Sequence, residues 1–278
     1  MDAAELPAMV DDGLERRFGG LRRLYGDAGY RRIRAARVAV VGLGGVGSWA
    51  AEALARSGVA SLTLIDLDHV AESNVNRQVQ ALEPTLGQAK VEALRERIAL
   101  IHPGCEVLPV EEFVEPDNWP QLLPAPVDAL IDCCDQVKAK AALAAWAARS
   151  GVLLVSVGAA GGKRLAQQVE VGDLAETTHD PLLASLRQRL RKFHGAPRQG
   201  RIDVRCVFSR ENVSPPADAA CEVDGSLNCH GYGSVVTVTA TFGLVAAGEV
   251  LQQISSGTRK VLAEPEKTGI ESKSSAGR

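Results

Sequence analysis

A glycine-rich turn between a strand and a helix is the sequence feature that most constrains how this chain can fold. Residues 38–41 are a short valine-rich run, residues 48–57 form an alanine-rich helical pattern, and G-x-G-x-x-G lies between them. Its glycines are Gly42, Gly44, Gly45 and Gly47. Glycines let the backbone turn tightly and approach a phosphate, while the helix N-terminus offers unpaired N–H groups. The motif therefore predicts a bound nucleotide, and the alternative is a glycine turn needed only for packing.

The rest of the chain alternates between strand and helix patterns. Further strands are predicted at 61–65, 106–110, 127–131, 152–157 and 201–208, with helices at 88–101, 139–149, 182–193 and 235–251. Such alternation predicts an α/β fold, a doubly wound and mainly parallel sheet of Rossmann-like type. We divide the chain into an N-terminal helical arm (1–36), a nucleotide-binding core (37–160), a C-terminal extension facing the substrate (161–263) and a disordered tail (264–278).

Composition excludes several classes of protein. The net charge is −3, so the molecule as a whole is not an electrostatic ligand for nucleic acid, and any RNA-binding surface must be local. None of the six cysteines forms a C-x-x-C pair, which argues against a zinc knuckle. Residues 1–10 lack a signal-peptide pattern, and residues 235–251 are too short an apolar run to span a membrane. We expect a cytoplasmic protein with reduced thiols and no membrane insertion.

A polar run after the second strand separates two kinds of nucleotide enzyme. Asp66 ends that strand, where a carboxylate accepts hydrogen bonds from ribose hydroxyls, and a nicotinamide dehydrogenase would share this feature. Arg77 and Lys90 follow within a run of carboxylates and amides. Hydride transfer does not need these two cations, whereas a triphosphate does, because they neutralise charge on the way to the transition state. Their alternative role is as ordinary surface charges.

The motif D-x-D-x-V-x-x-x-N-x-x-R-Q from Asp66, followed by G-x-x-K and D-x-x-D, resembles the ubiquitin-activating-like adenylating enzymes. This superfamily includes the activators of sulfur-carrier proteins, and the resemblance spans about a hundred residues. It implies that ATP is bound with Mg²⁺. The residues implied to bind ATP are the glycines above, Asp66 at the ribose, Asp68, and Asn74, Arg77 and Lys90 at the phosphates, with Asp135 at the metal. Asp132, at the start of D-x-x-D, is expected to make a structural hydrogen bond instead.

A narrower resemblance covers most of the chain. The segments that carry it are 17–20, 23–26, 42–55, 63–68, 76–78, 113–118, 161–162, 180–182, 206–209 and 237–243. They are similar to the tRNA threonylcarbamoyladenosine dehydratases, which use ATP to adenylate the threonyl carboxylate of a modified adenosine beside the anticodon. The carbamoyl group then closes a ring and expels AMP. The segment from Arg210 to Leu227 departs from this pattern.

The resemblance also implies an assembly. Arg17 resembles an arginine that crosses a homodimer interface into the partner's ATP site, with a solvated helix face as the alternative. Cys229 aligns with a family cysteine and could be an activated thiolate or, more simply, a small buried apolar residue. The sequence leaves open whether a cysteine desulfurase system is a further partner.

A basic segment at 187–205 is the candidate RNA-binding region. It contains Arg187, Arg189, Arg191, Lys192, Arg198, Arg201 and Arg205 against a single acid, Asp203. Clustered cations bind phosphates through counterion release, although a charge run is often only a solvated face. We assign Arg187, Arg189, Arg191 and Lys192 as candidate tRNA contacts.

Two alternative functions remain at this point. The first is the ATP-dependent dehydration of threonylcarbamoyladenosine in tRNA, and the second is adenylation of the C-terminus of a ubiquitin-like sulfur-carrier protein. The absence of C-x-x-C cysteine pairs that could bind zinc, together with the basic segment at 187–205, favours the first function.

Overall fold

The computed structural model describes residues 12–214 and 232–257. Its main elements in chain order are α1 (Asp12–Ala35), β1 (Arg37–Val41), α2 (Gly47–Arg56), β2 (Ser61–Ile65), α3 (Lys90–Ile101), β3 (Glu106–Val110), β4 (Ala129–Asp132), α4 (Val137–Ser150), β5 (Leu153–Val157), β6 (Val169–Asp173), α5 (Pro181–Phe193), β7 (Arg205–Ser209) and α6 (Val236–Ser256). Short 3₁₀ turns lie at 72–74, 83–85 and 166–168. The predictions for Cys229 and for the tail at 264–278 fall outside the described residues.

Within the described residues, seven strands form one sheet in the order β3-β2-β1-β4-β5-β7-β6. Neighbouring strands run parallel except at the β6–β7 edge, which is antiparallel. The mainly parallel α/β fold predicted from the sequence is therefore confirmed. Two details differ. The sequence pattern did not indicate β6, and β7 begins at Arg205 because Asp203 has a positive φ of 62° that interrupts an extended strand.

Side chains from alternate positions of the central strand enter two separate cores. Val38 and Val40 of β1 pack on one face with residues of α2, α3 and α6. Ala39 and Val41 pack on the other face with residues of α4 and α5. Burial on both faces explains why the strands read as continuous apolar runs rather than as an alternating pattern.

Helix α1 packs against the rest of the fold. Phe18, Tyr30 and Ile33 are buried, and the Arg32 Nε donates to the carbonyl oxygen of Ser255 at the end of α6, at 3.0 Å. Gly26 interrupts the helix with φ 68° and ψ 170°. The N-terminal helix predicted from the sequence thus becomes part of the layer that contains α6.

Gly162 joins the two chain segments that flank residues 215–231. Its N–H donates to the carbonyl oxygen of Gly233 at 3.0 Å, and its own carbonyl oxygen accepts from the N–H of Ser214 at 2.8 Å. Its φ of 71° lies in the left-handed region, and an added Cβ would lie 2.7 Å from Val213 Cγ1. Glycine is therefore the residue that suits this junction.

Candidate active site

The sheet order places a crevice beside β1. From β1 the chain adds β2 and β3 on one side, and β4 then crosses to the other side of β1. Ligands of open α/β sheets bind outside the carboxyl ends of the strands at such a switch point. Here those ends lead into the glycine turn after β1, Asp66 after β2 and Asp135 after β4.

The glycine turn is shaped by packing at two positions and left open at a third. Gly42 has a φ of 82°, and a Cβ there would lie 2.9 Å from the Cys133 carbonyl group. A Cβ on Gly47 would lie only 1.8 Å from the Gly42 carbonyl oxygen. Gly44, by contrast, has nothing within 4 Å of an added Cβ. This open space lies before α2, whose N-terminus has no side-chain cap, so a phosphate could approach unpaired N–H groups there.

Asp66 links this turn to the polar run that follows β2. Its Oδ2 accepts from the N–H of Leu43 at 2.5 Å, and its Oδ1 accepts from the N–H of Asp68 at 2.9 Å. Lys90 Nζ lies 2.7 Å from Asp68 Oδ2 and 3.9 Å from Asp66 Oδ1. Burial raises the pKa of Asp66, and the Lys90 ammonium opposes that rise. Three predicted residues, Asp66, Asp68 and Lys90, are therefore brought together.

Arg77 lies across the glycine turn. Its Cγ would be 3.0 Å from a Cβ on Gly45, and its Nη1 donates to Ser73 O and Asn76 Oδ1, both at 2.8 Å. Its Nε is buried and has no hydrogen-bond partner in the described part of the chain. A buried donor without a partner costs free energy, so an anion that accepts a hydrogen bond from this Nε would be favourable beside Arg77.

Two asparagines of the same run have different tasks. Asn74 is buried, and its Oδ1 accepts from the N–H of Ala71 at 3.1 Å, so in this structure it shapes the local turn. Asn76 orients Arg77, and its Nδ2 donates to Ser234 O at 3.0 Å. Sequence reasoning assigned a role to Asn74 and none to Asn76. The position of Asn76 directly before Arg77 was the available signal.

The aspartate that ends β4 and the aspartate that follows it lie in different environments. Asp132 is fully buried, where its Oδ2 lies 3.0 Å from Lys140 Nζ and accepts from Ser156 Oγ at 2.7 Å. Asp132 therefore has the structural role that was expected. Asp135 is exposed at the mouth of the crevice.

The donor set at this edge suits Mg²⁺ only with help from a substrate. No group of three or more His, Cys, Asp or Glu side chains that could hold a metal occurs in the described ranges, 12–214 and 232–257. Mg²⁺ commonly takes one or two carboxylates together with substrate phosphates and waters. Asp135 is an exposed carboxylate of this edge that could serve in that way.

Comparison with known proteins decides the family, since the profile of the ThiF family matches residues 17–270. The chain belongs to the ThiF family. It is 43% identical over 260 residues to the tRNA threonylcarbamoyladenosine dehydratase of Escherichia coli strain K12, covering 90% of this chain and 97% of that protein. It is 40% identical to the dehydratase of Haemophilus influenzae, covering 87% of this chain and 95% of that protein.

A solved structure agrees with these sequence matches. The crystal structure of the E. coli tRNA N6-threonylcarbamoyladenosine dehydratase in complex with ATP has a TM-score of 0.81 and 42% identity to this chain. The match covers 90% of this chain and 98% of the E. coli chain. The predicted family and the predicted fold are therefore confirmed along almost the whole sequence.

Other predicted residues of this ThiF-family chain lie away from the crevice. Arg17 donates through Nη1 to the carbonyl oxygen of Ile101 at 2.9 Å. Ile101 ends α3, whereas Lys90 begins it, so about 17 Å of helix separates Arg17 from the site of its own chain. Its role in a partner's site stays a prediction.

The four candidate tRNA contacts on α5 divide into two pairs. Arg187 Nη1 donates to Leu174 O at 2.9 Å and Thr177 O at 3.0 Å, and Arg191 Nε donates to Pro197 O at 3.1 Å. These two guanidinium groups are therefore hydrogen-bonded to backbone carbonyl oxygens of the same chain. Arg189 and Lys192 instead lie beside the ring of Phe193.

Two buried lysines support the carboxyl edge of the sheet and were not identified from the sequence. Lys140 Nζ donates to Val157 O at 2.7 Å in addition to its bond with Asp132. Lys163 Nζ donates to the carbonyl oxygens of His179 and Ser209 at 3.2 Å and of Glu211 at 2.8 Å. Burial lowers the pKa of Lys163. No local motif marks such lysines, because their acceptors lie up to 48 residues away.

None of the helices in the described part of the chain is long and apolar enough to cross a membrane.

Proposed function

We propose that this protein catalyses the ATP-dependent dehydration of threonylcarbamoyladenosine in tRNA. The observation that carries the proposal is the match to the E. coli dehydratase over 97% of that protein's length. The carboxyl-edge geometry supports it, because the glycine turn, Asp66, Lys90 and Arg77 surround one crevice.

In this mechanism the threonyl carboxylate attacks the α-phosphorus of ATP, forms an acyl-adenylate and releases pyrophosphate. Two features of the chain bind the triphosphate: the N–H groups around Gly44 and the guanidinium of Arg77. Lys90, now paired with Asp68, is placed to move to the phosphates and neutralise charge that develops there. Asp66 accepts hydrogen bonds from the ribose.

Asp135 is the residue we assign to Mg²⁺, since its carboxylate is exposed at this edge while Asp132 is occupied by Lys140. The metal supplies Lewis-acid stabilisation of phosphate charge when bound. This assignment rests on the donor chemistry of the crevice.

Ring closure needs no covalent bond to the enzyme. The carbamoyl group of the same substrate attacks the activated carbonyl carbon, a proton is lost, and AMP leaves with the carboxylate oxygen. The nucleophile is already held near its target, which gives a high effective concentration. Burial raises the pKa of both Cys133 and Cys134 well above the usual value, so neither thiol beside the crevice is a ready nucleophile.

The test is mass spectrometry of nucleosides from tRNA that carries threonylcarbamoyladenosine, after incubation with protein, ATP and Mg²⁺ and mild work-up. The expected result is loss of one water from the nucleoside and release of a matching amount of AMP. An unchanged nucleoside, together with ATP–pyrophosphate exchange driven by a sulfur-carrier protein, would identify the alternative substrate.

A cytoplasmic homodimer is part of the proposal, with Arg17 of each protomer acting in the site of the other. Mixing inactive Arg17→Ala and Asp135→Ala proteins under conditions that exchange protomers would then restore about a quarter of wild-type activity, because half of the dimers are mixed and each has one intact site. No recovery in dimers shown to be mixed would remove Arg17 from the mechanism.

A further inference from the structure

The C-terminal ends of α4 and α5 form a cationic surface around one exposed aromatic ring. Phe193, the last residue of α5, is 59% exposed. The Arg189 Cζ lies 5.1 Å from the centre of its ring, and the Lys192 Nζ lies 4.9 Å from it. The exposed ring therefore has two cations within cation–π distance of its centre.

A third cation comes from the neighbouring helix. Arg149 lies in the last turn of α4 and is exposed. Helices α4 and α5 pack against each other in one core, so their C-terminal ends lie side by side. In agreement, partial burial and the positive charges of Arg189 and Arg149 lower the pKa of His194. We call Arg149, Arg189, Lys192 and Phe193 the α4–α5 surface.

In the ranges that the structure describes, Arg149, Arg189 and Lys192 have no acidic partner. Other basic residues of the segment are different: Arg201 pairs with Asp203 at 3.2 Å, and Arg205 pairs with Glu249 at 2.9 Å. The α4–α5 surface is therefore a place where positive charge remains available to a ligand.

This surface lies far from the crevice. Helix α5 begins at the carboxyl edge of the sheet, where Asp180 Oδ2 accepts from the N–H of Ala159 just after β5. The helix has 13 residues, so Phe193 lies about 20 Å from that edge. A small substrate in the crevice could not reach it, whereas a folded RNA could contact both places.

We propose that the α4–α5 surface binds tRNA away from the modified nucleotide, with Phe193 stacking on an unpaired base and the three cations contacting the adjacent phosphates. The proposal rests on the function proposed above. Aromatic side chains stack on any base, and flanking cations bind the backbone, which is how single-stranded RNA segments are held without sequence readout. The surface adds affinity for the RNA and leaves the chemistry to the crevice.

The test compares tRNA binding and steady-state kinetics of four proteins. They are the wild type, Phe193→Leu, the triple variant Arg149→Gln/Arg189→Gln/Lys192→Gln, and a control with the same charge change on α1, Arg16→Gln/Arg23→Gln/Arg31→Gln. Phe193→Leu keeps an apolar side chain and removes the ring, and it should weaken tRNA binding at least about fivefold. The triple variant should reduce the slope of log K against log salt by about 2.

Both changes should raise KM for tRNA and leave kcat at saturating tRNA and KM for ATP unchanged, because the crevice is untouched. If the α4–α5 variants bind and turn over tRNA as the α1 control does, while the wild type is active, the surface proposal is overturned and the proposed function stands. The same result together with lost binding of an acidic protein would assign the surface to a protein partner and would equally overturn it. If the wild type binds tRNA through this surface but does not dehydrate the nucleoside, the proposed function fails and the RNA surface is supported.

Discussion

Removal of the Lys140 ammonium should destabilise the protein far more than removal of a surface charge. Lys140 and Asp132 are both 0% exposed, and Lys140 Nζ also donates to Val157 O. Burial opposes the charge on Lys140, but Asp132 and, to a lesser degree, the neighbouring Cys133 and Cys134 together raise the pKa of the lysine. In Lys140→Met, the Asp132 charge would stay buried without its partner, which costs about 3–5 kcal/mol. For a chain of 278 residues this corresponds to a fall in Tm of roughly 5–9 °C.

Urea unfolding followed by tryptophan fluorescence is a suitable measurement, because Trp146 lies on α4 and packs edge-on against Trp119 with ring centres 5.2 Å apart. The double variant Lys140→Met/Asp132→Asn should recover much of the lost stability, since it removes the unpaired charge. Arg210→Gln is the control, because its pair with Glu170 is exposed on both sides and should contribute little.

If Lys140→Met unfolded at the same urea concentration as Arg210→Gln, the unpaired Asp132 carboxylate would not be the destabilising group proposed here. A double variant no more stable than Lys140→Met would lead to the same conclusion, because the lost stability would then come from packing rather than from the unpaired carboxylate.

Three further predictions concern the crevice and the pH response. Arg77→Ala or Asp135→Ala should abolish turnover with an unchanged Tm, and full activity in either variant would contradict the site assignment. Gly44→Ala should weaken ATP binding tenfold or more at wild-type stability, since its Cβ enters open space, whereas Gly47→Ala should unfold more easily; calorimetry and thermal melts would separate the two. Burial lowers the pKa of His102 to about 4, so the unfolded state binds its proton first. Stability should therefore fall as pH drops from about 6.5 to 4, by up to about 3 kcal/mol, and His102→Gln should flatten this part of a urea-midpoint profile.

The sequence predicted those parts of the site that depend on local chemistry. The glycine turn, Asp66 and Lys90 stand at fixed distances from predicted strand ends, and parallel strands bring such ends to one edge. The sequence alone was therefore enough to predict that these residues lie at one edge of the sheet. The order β3-β2-β1-β4 then follows the doubly wound pattern.

The parts that sequence reasoning missed depend on contacts between distant segments. Strand β6 contains Gly172 and pairs at the sheet edge, where neither composition nor alternation marks a five-residue strand. Arg187 is hydrogen-bonded to the 174–177 turn, and Arg191 is hydrogen-bonded to Pro197. A count of charges along the helix treats both guanidinium groups as free, because it does not see these contacts. Arg149 joins the α4–α5 surface from a different helix, so no window along the sequence contains the whole surface.

The two hydrogen bonds of Gly162 have a consequence for how this protein can vary. Because Ser214 and Gly233 both bond to this one residue, the chain leaves and re-enters the fold at almost the same point. Chain length added between two such fixed points changes the closure entropy only logarithmically, by about 0.6 kcal/mol for each doubling. A change in the length of the connection between Ser214 and Gly233 can therefore leave the sheet and the crevice in place.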